Sequence, residues 1–351
     1  MEDNNIYLLQ YALGIESEVE INNQDEWDNF YCFCQRQSIL GVGFQALEKW
    51  NGEIKPSQHL IYRWLSVVSE IESRNIAMNE ECLTIQSIFG QKGFTTCILK
   101  GQGNALLYNK PLRRQSGDID IWVGGKIRPV ILFLEERYKD VHIGYHHTEA
   151  KEQRNVDIEV HYRPTWFNSP IRNSRLQKWF ATEGKKQLKM ENEYIIVPDL
   201  AFNTVYQLAH IFNHFIQEGV GMRQIIDYYY VLQNRESKDV MPLLDKFGLS
   251  RFAGAMMYVM QTIFLLPEKK LLCAPDVYEG DFLLKEILVS GNFGRYDARN
   301  KVLHQKSGVI RKFYQMKRSL RYLRSYPEEV LCSPFRIYHV IWRTMKLWRW
   351  E

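Results

Sequence analysis

Apolar and polar positions follow the helical period through the first part of the chain. Between residues 5 and 90 there are few prolines or glycines, and the stretch 59–90 repeats apolar residues at three- and four-residue steps before it ends at Gly90. This spacing places apolar side chains along one face of a helix. The pattern predicts an N-terminal helical region over residues 1–93.

The period changes at residue 94, where β-branched and aromatic residues become frequent. FTTCILK at 94–100 is typical of a buried strand that stops at Gly101. The segment up to residue 164 then alternates between strand and helix patterns, which indicates an α/β unit. Strands are predicted over 94–100, 118–123, 142–150 and 155–164, and helices over 103–109 and 127–137.

The helical period returns after Pro198. Amphipathic helices are predicted over 200–216, 223–233, 240–265, 281–290 and 309–348. We therefore expect an α+β protein: an α/β core over 94–198, built as a mixed sheet flanked by helices, joined to the N-terminal helical region and to a C-terminal helical domain over 199–351.

Composition places the chain among cytoplasmic globular proteins. It has 351 residues and 45% hydrophobic content, enough for a sizeable core. No apolar run approaches the roughly 18 residues of a membrane span, and MEDNNIYLLQ at the start lacks the basic and apolar regions of a signal peptide. The six cysteines form no CxxC pair, so we expect free cytosolic thiols.

Positive charge is concentrated at the C-terminal end. Residues 311–351 contain ten Lys and Arg against three Glu, with Tyr, Phe and Trp between them. Such a region could contact an anionic partner, either RNA phosphates or a membrane surface. The alternative is a terminal helical pair with a solvated basic face and an aromatic core face.

Acidic residues occur within two of the predicted strands. Because side chains two apart on a strand share a face, Asp118 and Asp120 point the same way, and so do Asp157, Glu159 and His161. If these strands are neighbours, the carboxylates converge, which is costly without a cation. Mg²⁺ prefers such oxygen ligands and leaves positions open for phosphates. The alternative is two edge strands with solvated acidic faces.

A glycine-bearing turn precedes these acids in ILKGQGNALLY at 98–108. Gly101 and Gly103 allow backbone N–H groups to approach a phosphate closely, and Lys100 adds a positive charge. The pattern is not a P-loop, because GxxxxGK[ST] is absent. The turn could equally be only a tight strand–helix connection. Arg114 could pair with a phosphate or with a carboxylate.

The order strand, glycine turn, helix and Asp-x-Asp strand resembles the DNA polymerase β-like nucleotidyltransferase superfamily. LKGQGNALLYNKPLRRQSGDIDIWV at 99–123 is similar to its family of uncharacterised bacterial nucleotidyltransferases. The step from Glu159 to Tyr162 matches that family's later acid–hydrophobic–His–aromatic motif. HIFNHFIQEGVGMRQIIDYYYVL at 210–232 is similar to its His-x3-His and Arg-x3-Asp segment.

The resemblance implies a metal site and a phosphate site. Asp118, Asp120 and Glu159 would be catalytic and bind Mg²⁺ or Mn²⁺, with Asp157 as the rival third acid. Nucleotide binding would fall to the segment around the glycine turn, namely Lys100, Gly101, Gln102 and Gly103, and to Arg114. Gln102 departs from the superfamily, which usually has Gly or Ser here, so a hydroxyl that commonly contacts phosphate is missing.

Two pairs of residues on the predicted helices after Pro198 remain open. His210 and His214 are spaced i, i+4. They could form a metal-binding pair, or they could be packed or hydrogen-bonding histidines. Arg223 and Asp227 have the same spacing, which is typical of a helix ion pair. The resemblance implies that Arg223 could instead contact substrate.

Three histidines on the predicted strands also remain open. His161 could hydrogen-bond a carboxylate or a substrate phosphate, or it could be structural. His146 and His147 are expected at the surface, at a strand end.

The function predicted from this resemblance is Mg²⁺-dependent transfer of a nucleoside monophosphate from ATP or another NTP, with release of pyrophosphate. The acceptor could be a small molecule, a protein side chain or an RNA end. Two other classes stay open: a nucleic-acid-binding module that uses the basic region, and an inactive nucleotidyltransferase scaffold that acts as an interaction protein.

Overall fold

A five-stranded mixed sheet lies in the middle of the chain, with helices before and after it. The computed structural model describes residues 2–16, 18–151, 156–190, 193–236, 239–305, 308–336 and 345. Helices flank this sheet, so the mixed α+β architecture is confirmed.

The sheet has the spatial order β1-β2-β5-β4-β3. β2 and β5 pair in parallel, and the other pairs are antiparallel. The segment predicted as one strand over 142–150 is a hairpin, because a turn at Gly144 separates β3 from β4. The strands are β1 (Thr96–Leu99), β2 (Ile119–Val123), β3 (His142–Ile143), β4 (His147–Lys151) and β5 (Asp157–His161).

Four helices precede the sheet, as the apolar period predicts. The longest, α4, begins at a cap in which the Ser57 side chain accepts a hydrogen bond from the Leu60 N–H. The four are α1 (Glu2–Leu13), α2 (Asp25–Gln37), α3 (Leu40–Lys49) and α4 (Gln58–Gln91).

Three helices belong to the sheet region. α5 (Lys100–Ala105) starts directly after β1, three residues earlier than predicted, and α6 (Ile127–Arg137) has the predicted bounds. α7 (Pro170–Gln187) was not predicted, because its sequence is rich in charge and buries few side chains. Its start does carry a signal, since Ser169 caps it and Pro170 is its first residue.

Eight helices follow in the last part of the chain that the structure describes. The segment predicted as one helix over 240–265 is two, because Gly248 adopts the left-handed conformation with φ +70°. The helix predicted over 309–348 ends at Ser319, and residues 337–344 and 346–351 lie outside the described part. The helices are α8 (Leu200–Gln217), α9 (Met222–Asn234), α10 (Met241–Phe247), α11 (Ser250–Phe264), α12 (Val277–Ser290), α13 (Lys301–Gln305), α14 (Gly308–Ser319) and α15 (Pro327–Leu331).

The N-terminal and C-terminal helices share one apolar core. Buried side chains from α1 to α4 pack in the same cluster as those of α8 to α12. Polar contacts cross the boundary too: Gln10 donates to the Ile263 carbonyl at 2.9 Å, and the Met222 N–H donates to Gln37 at 2.8 Å. A second cluster fills the space between the sheet, α4 and α6. The three-part division at residues 93 and 198 stays a prediction.

Much of the positive charge in the described part of the basic region is bound to the protein itself. Arg311 pairs with Glu218 at 2.7 Å, and Arg318 donates to the Phe215 carbonyl at 2.6 Å near the end of α8. The buried Arg336 lies over the Trp166 ring, 5.1 Å from its centroid. The expected basic face is therefore only partly solvated, and contact with an anionic partner stays a prediction.

Two further expectations concern the described residues. None of their helices is both long enough and apolar enough to pass through a membrane. All six cysteines lie in the described ranges and are free thiols, as predicted.

Candidate functional site

A cavity of about 840 Å³ opens between the sheet and helices α8 and α9. Charged and polar side chains dominate its wall, which includes acids and histidines from the strands and the helices together with several arginines. The acids are Asp118, Asp120, Glu149, Glu159, Glu218 and Asp227. The cations are Lys100, Arg114, Arg223, Arg295 and Arg311.

The sheet register brings the predicted acids together. Asp120 of β2 lies opposite Glu159 of β5, and Glu159 lies opposite Glu149 of β4. The intervening residues Ile119 and Ile158 turn to the other face, where they are buried. The two acidic strands are therefore neighbours, with their carboxylates on one face, as the alternation predicts.

Asp120 is almost completely buried and is held by a lysine and a histidine. Its Oδ1 is 2.7 Å from Lys100 Nζ and 2.7 Å from His161 Nε2, which is also 3.3 Å from Glu159 Oε2. Burial opposes the charged form of His161, but its hydrogen bonds to Asp120 and Glu159 raise its pKa above the ordinary value. The imidazole thus stabilises both carboxylates.

Asp118 and Glu159 differ in how their charge is compensated. Burial and the charges of Asp120 and Glu159 raise the pKa of Asp118 to about 6. Burial also opposes ionisation of Glu159, but the hydrogen bond from His161 and the charge of His147 hold its pKa well below the usual range. Within the described ranges no side chain donates a hydrogen bond to Asp118, so this carboxylate is the least compensated of the three.

The donor set fits a hard divalent cation. Ligand atoms of Asp120, Glu159 and His161 lie within 4.8 Å of one another, and carboxylate oxygens are the ligands that Mg²⁺ and Mn²⁺ prefer. Asp118 lies outside this cluster but lines the same cavity. Asp157, the rival third acid, is exposed and lines a neighbouring cavity of about 740 Å³ that shares Asp118 and Glu159.

The glycine turn divides into two parts. Lys100 and Gly101 both adopt positive φ, at +41° and +32°, and both line the cavity. A positive φ is uncommon for a side chain as long as lysine and stores strain. The unusual backbone is offset by the contact of Lys100 with the buried Asp120.

Gln102 and Gly103 point away from the cavity. The buried Gln102 side chain donates to Asn79 Oδ1 of α4 at 2.7 Å. Gly103 packs against β1, where an added Cβ would lie 2.9 Å from the Ile98 carbonyl oxygen. Neither residue lines the cavity. Their predicted phosphate contacts stay a prediction.

Arg114 binds a carboxylate in this structure. Its guanidinium donates to both oxygens of Asp227 at 2.7 Å, and the Tyr108 hydroxyl donates to the same carboxylate at 2.6 Å. The expected ion pair between Arg223 and Asp227 does not form, because Arg114 occupies both carboxylate oxygens. The predicted contact of Arg114 with phosphate stays a prediction.

Arg223 reaches the cavity from α9. Its Nη1 donates to the Gln115 carbonyl at 3.2 Å, and its guanidinium lies 5.5 Å from the centre of the Phe293 ring. Burial lowers its pKa, although the side chain remains a cation at neutral pH. Arg223 is thus a cavity cation held beside the segment that leads into Asp118, and its contact with substrate stays a prediction.

The expectation that His146 and His147 lie at the surface is wrong. Both line the cavity, because β4 begins at His147 after the turn at Gly144 and its antiparallel pairing with β5 places His147 opposite His161. A glycine within an apparent strand was the signal that could have indicated this turn. His210 and His214 also line the cavity, with ring centres 4.4 Å apart. Five of the nine histidines thus surround one cavity.

Comparison with solved structures gives two distant likenesses. An antigenic nucleotidyltransferase-like protein from Paracoccidioides brasiliensis is 12% identical and matches 57% of this chain and 96% of its own, with a TM-score of 0.36. The Thermotoga maritima CCA-adding enzyme complexed with tRNA is 11% identical and matches 76% of this chain and 80% of its own, with a TM-score of 0.22. At these TM-scores neither likeness supports an argument.

The sequence itself provides the stronger comparison. No protein with a curated description matches the chain. A family model does match, over residues 23–264, which is well over half of the chain and includes both acidic strands, the glycine turn, α8 and α9. The chain belongs to the family described as uncharacterised nucleotidyltransferases.

Proposed function

We propose that this protein transfers a nucleoside monophosphate from an NTP to an acceptor hydroxyl and requires Mg²⁺ or Mn²⁺. The observation that carries the proposal is the register of Asp120 with Glu159 on the wall of a large cavity. With Asp118 the site holds three carboxylates beside Lys100, and a divalent cation would offset the negative charge that this lysine leaves uncompensated. Family membership supports the reaction class.

The roles of the acids follow from their positions. Asp118, Asp120 and Glu159 would hold the cation, which when bound neutralises phosphate oxygens and favours attack at phosphorus. His161 orients the pair, since its Nε2 contacts Asp120 and Glu159 at once. Lys100 supplies a fixed positive charge beside Asp120.

The arginines of the cavity suit a triphosphate. Arg223 and Arg295 line the same cavity as the acids, and the Arg223 guanidinium lies 5.5 Å from the centre of the Phe293 ring. Arginines bind phosphate oxygens through paired N–H donors. We propose that Arg223 orients the phosphates, while Gly101 leaves space for them beside the strand.

The proposed reaction exchanges one bond at the α-phosphorus for another. The acceptor oxygen forms a bond to this phosphorus, and the bond from the phosphorus to the bridging oxygen of the β-phosphate breaks. Pyrophosphate leaves with the electron pair, and the acceptor hydroxyl releases its proton. No described residue of the cavity selects the base, so ATP and the other NTPs are all candidate donors. The acceptor could be a small molecule, a protein or an RNA end.

Label transfer tests this proposal. The purified protein is incubated with Mg²⁺, a cell extract and each NTP, labelled with ³²P on either the α- or the γ-phosphate. We expect α-label to reach an acceptor and γ-label to appear only in pyrophosphate. Asp118→Asn and Asp120→Asn should each reduce transfer by at least about 10²-fold with the fold retained, because both remove charge from the metal site.

The outcomes separate the proposal from its rivals. Transfer of γ-label would indicate a kinase-like reaction instead. Transfer that is undiminished in both variants would place the chemistry elsewhere. A scaffold without activity predicts no transfer of either label, whereas a nucleic-acid-binding module predicts salt-sensitive RNA binding that ignores both substitutions.

A further inference from the structure

The histidines of the cavity form a second cluster beside the acids. His147 Nδ1 is 2.8 Å from His146 Nε2 and 3.6 Å from Glu159 Oε2. The other nitrogen of His147 is 3.5 Å from Glu149 Oε1. The ligand atoms of His146, His147 and His161 lie within 4.8 Å of one another, as do those of His147, Glu149 and Glu159.

These separations are near those found between the ligands of one cation. Metal–nitrogen bonds of about 2.0–2.1 Å place neighbouring ligand atoms roughly 3.0–3.5 Å apart. His147 Nδ1 and His146 Nε2 are 2.8 Å apart and share a hydrogen bond, and a ring nitrogen of His161 lies within 4.8 Å of both rings' ligand atoms. Small rotations of the side chains would therefore be enough to surround a cation.

One ring nitrogen of the cluster is buried and has no partner in the described part of the chain. His161 is 1% exposed, and its Nδ1 has no hydrogen-bond partner among the described residues. A buried ring nitrogen without a partner is unfavourable unless something else binds it.

We propose that His146, His147 and His161 form a binding site for a first-row transition cation such as Zn²⁺, Co²⁺ or Mn²⁺. Imidazole nitrogen is a ligand that these cations accept and that Mg²⁺ binds poorly. The site lies next to the Asp120 carboxylate, which the Nε2 of His161 contacts at 2.7 Å. Cation binding here does not depend on the proposed transfer reaction, because it requires neither NTP nor acceptor.

Titration of the metal-free protein with Co²⁺ tests the site. The protein is prepared without a histidine tag, and binding is followed by calorimetry and by the visible absorption of Co²⁺, whose bands report nitrogen ligands. We expect one tight site per chain. His147→Gln should weaken Co²⁺ binding at least tenfold, since glutamine keeps a polar side chain but is a poor ligand.

Matched variants make the result decisive. His59 is exposed on α4, so His59→Gln should bind Co²⁺ as the wild type does. Equal affinity in His147→Gln and wild type, or the absence of a tight site, would overturn the proposal. So would a site that is lost in Asp118→Asn but kept in His147→Gln, because the cation would then sit on the carboxylates alone. Near-ultraviolet circular dichroism checks that each variant is folded.

Discussion

Two buried aspartates on the wall of the same cavity have very different surroundings. Asp227 is 3% exposed and is saturated by the guanidinium of Arg114 and the hydroxyl of Tyr108. Asp120 is also 3% exposed and has two partners, Lys100 and His161. It differs from Asp227 in that two further carboxylates, Asp118 and Glu159, crowd beside it.

The difference teaches that burial does not by itself identify a functional acid. The Asp227 cluster pairs one carboxylate with one bidentate cation, which suits a structural role that joins α9 to the segment before β2. The Asp120 cluster holds more acid than its fixed cations compensate, which is unfavourable for stability and favourable for binding a metal. We therefore expect that removing a carboxylate will destabilise the protein at the Asp227 cluster and stabilise it at the Asp120 cluster.

The largest expected effect on stability is at Asp227, whose carboxylate oxygens are all hydrogen-bonded to Arg114 and Tyr108. Asp227→Ala should lower the free energy of unfolding by about 3–5 kcal/mol, because it leaves the guanidinium of Arg114 buried without its partner. Denaturant unfolding measures this change. The double variant Arg114→Met with Asp227→Leu should recover much of the loss, since it removes both charges together. An unchanged denaturation midpoint for Asp227→Ala would contradict the structural role of this aspartate.

Glu329 is a third buried carboxylate, and backbone N–H groups are its hydrogen-bond donors. Its oxygens accept backbone hydrogen bonds from Asn168 and Ser169, and burial raises its pKa from 4.5 to about 7. Between these pH values the folded chain keeps a proton that the unfolded chain has released, so stability should fall as pH rises from 4.5 to 7. Each pH unit between the two pKa values corresponds to about 1.4 kcal/mol, so the whole decline is on the order of 3 kcal/mol.

The measurement is the free energy of unfolding across this pH range. Glu329→Gln should flatten the decline, because glutamine does not titrate. Glu53→Gln, at an exposed position, serves as the control and should leave the curve unchanged. A decline equally steep in Glu329→Gln and wild type would assign the pH dependence to other groups.

The smallest expected effect is a gain in stability at Asp118. In metal-free buffer, Asp118→Asn should raise the free energy of unfolding by about 1–2 kcal/mol, because it removes repulsion from Asp120 and Glu159. The same variant should lose label transfer. Thermal unfolding with a chelator present measures the gain. A loss of stability as large as that of Asp227→Ala would mean that the two clusters do not differ as described.

The strand pattern accounts for the part of the site that depends on local sequence. Alternation in 118–123 and 156–162 places Asp120 and Glu159 on one face, and the structure puts them in register. The pattern also predicts Lys100 and Gly101 at the end of β1, where both line the cavity. Local spacing is sufficient there because each residue acts through its own strand or turn.

Contacts between distant segments could not be predicted in this way. Arg114 and Asp227 are 113 residues apart, so spacing favoured the nearer Arg223 as the partner of Asp227. His146 and His147 reach the cavity because β4, which begins after the turn at Gly144, pairs with β5. α7 was missed for a different reason, since it buries few of its side chains and its apolar period is weak.

The central claim is that the acids of β2 and β5 bind an NTP together with a divalent cation. Calorimetry with the four α,β-methylene nucleoside triphosphates, which cannot undergo transfer, measures this directly in Mg²⁺ and in chelator. The account predicts that at least one analogue binds in Mg²⁺, and that chelator or Asp120→Asn weakens it at least tenfold. Binding of no analogue, or binding that ignores both Mg²⁺ and Asp120→Asn, would contradict it.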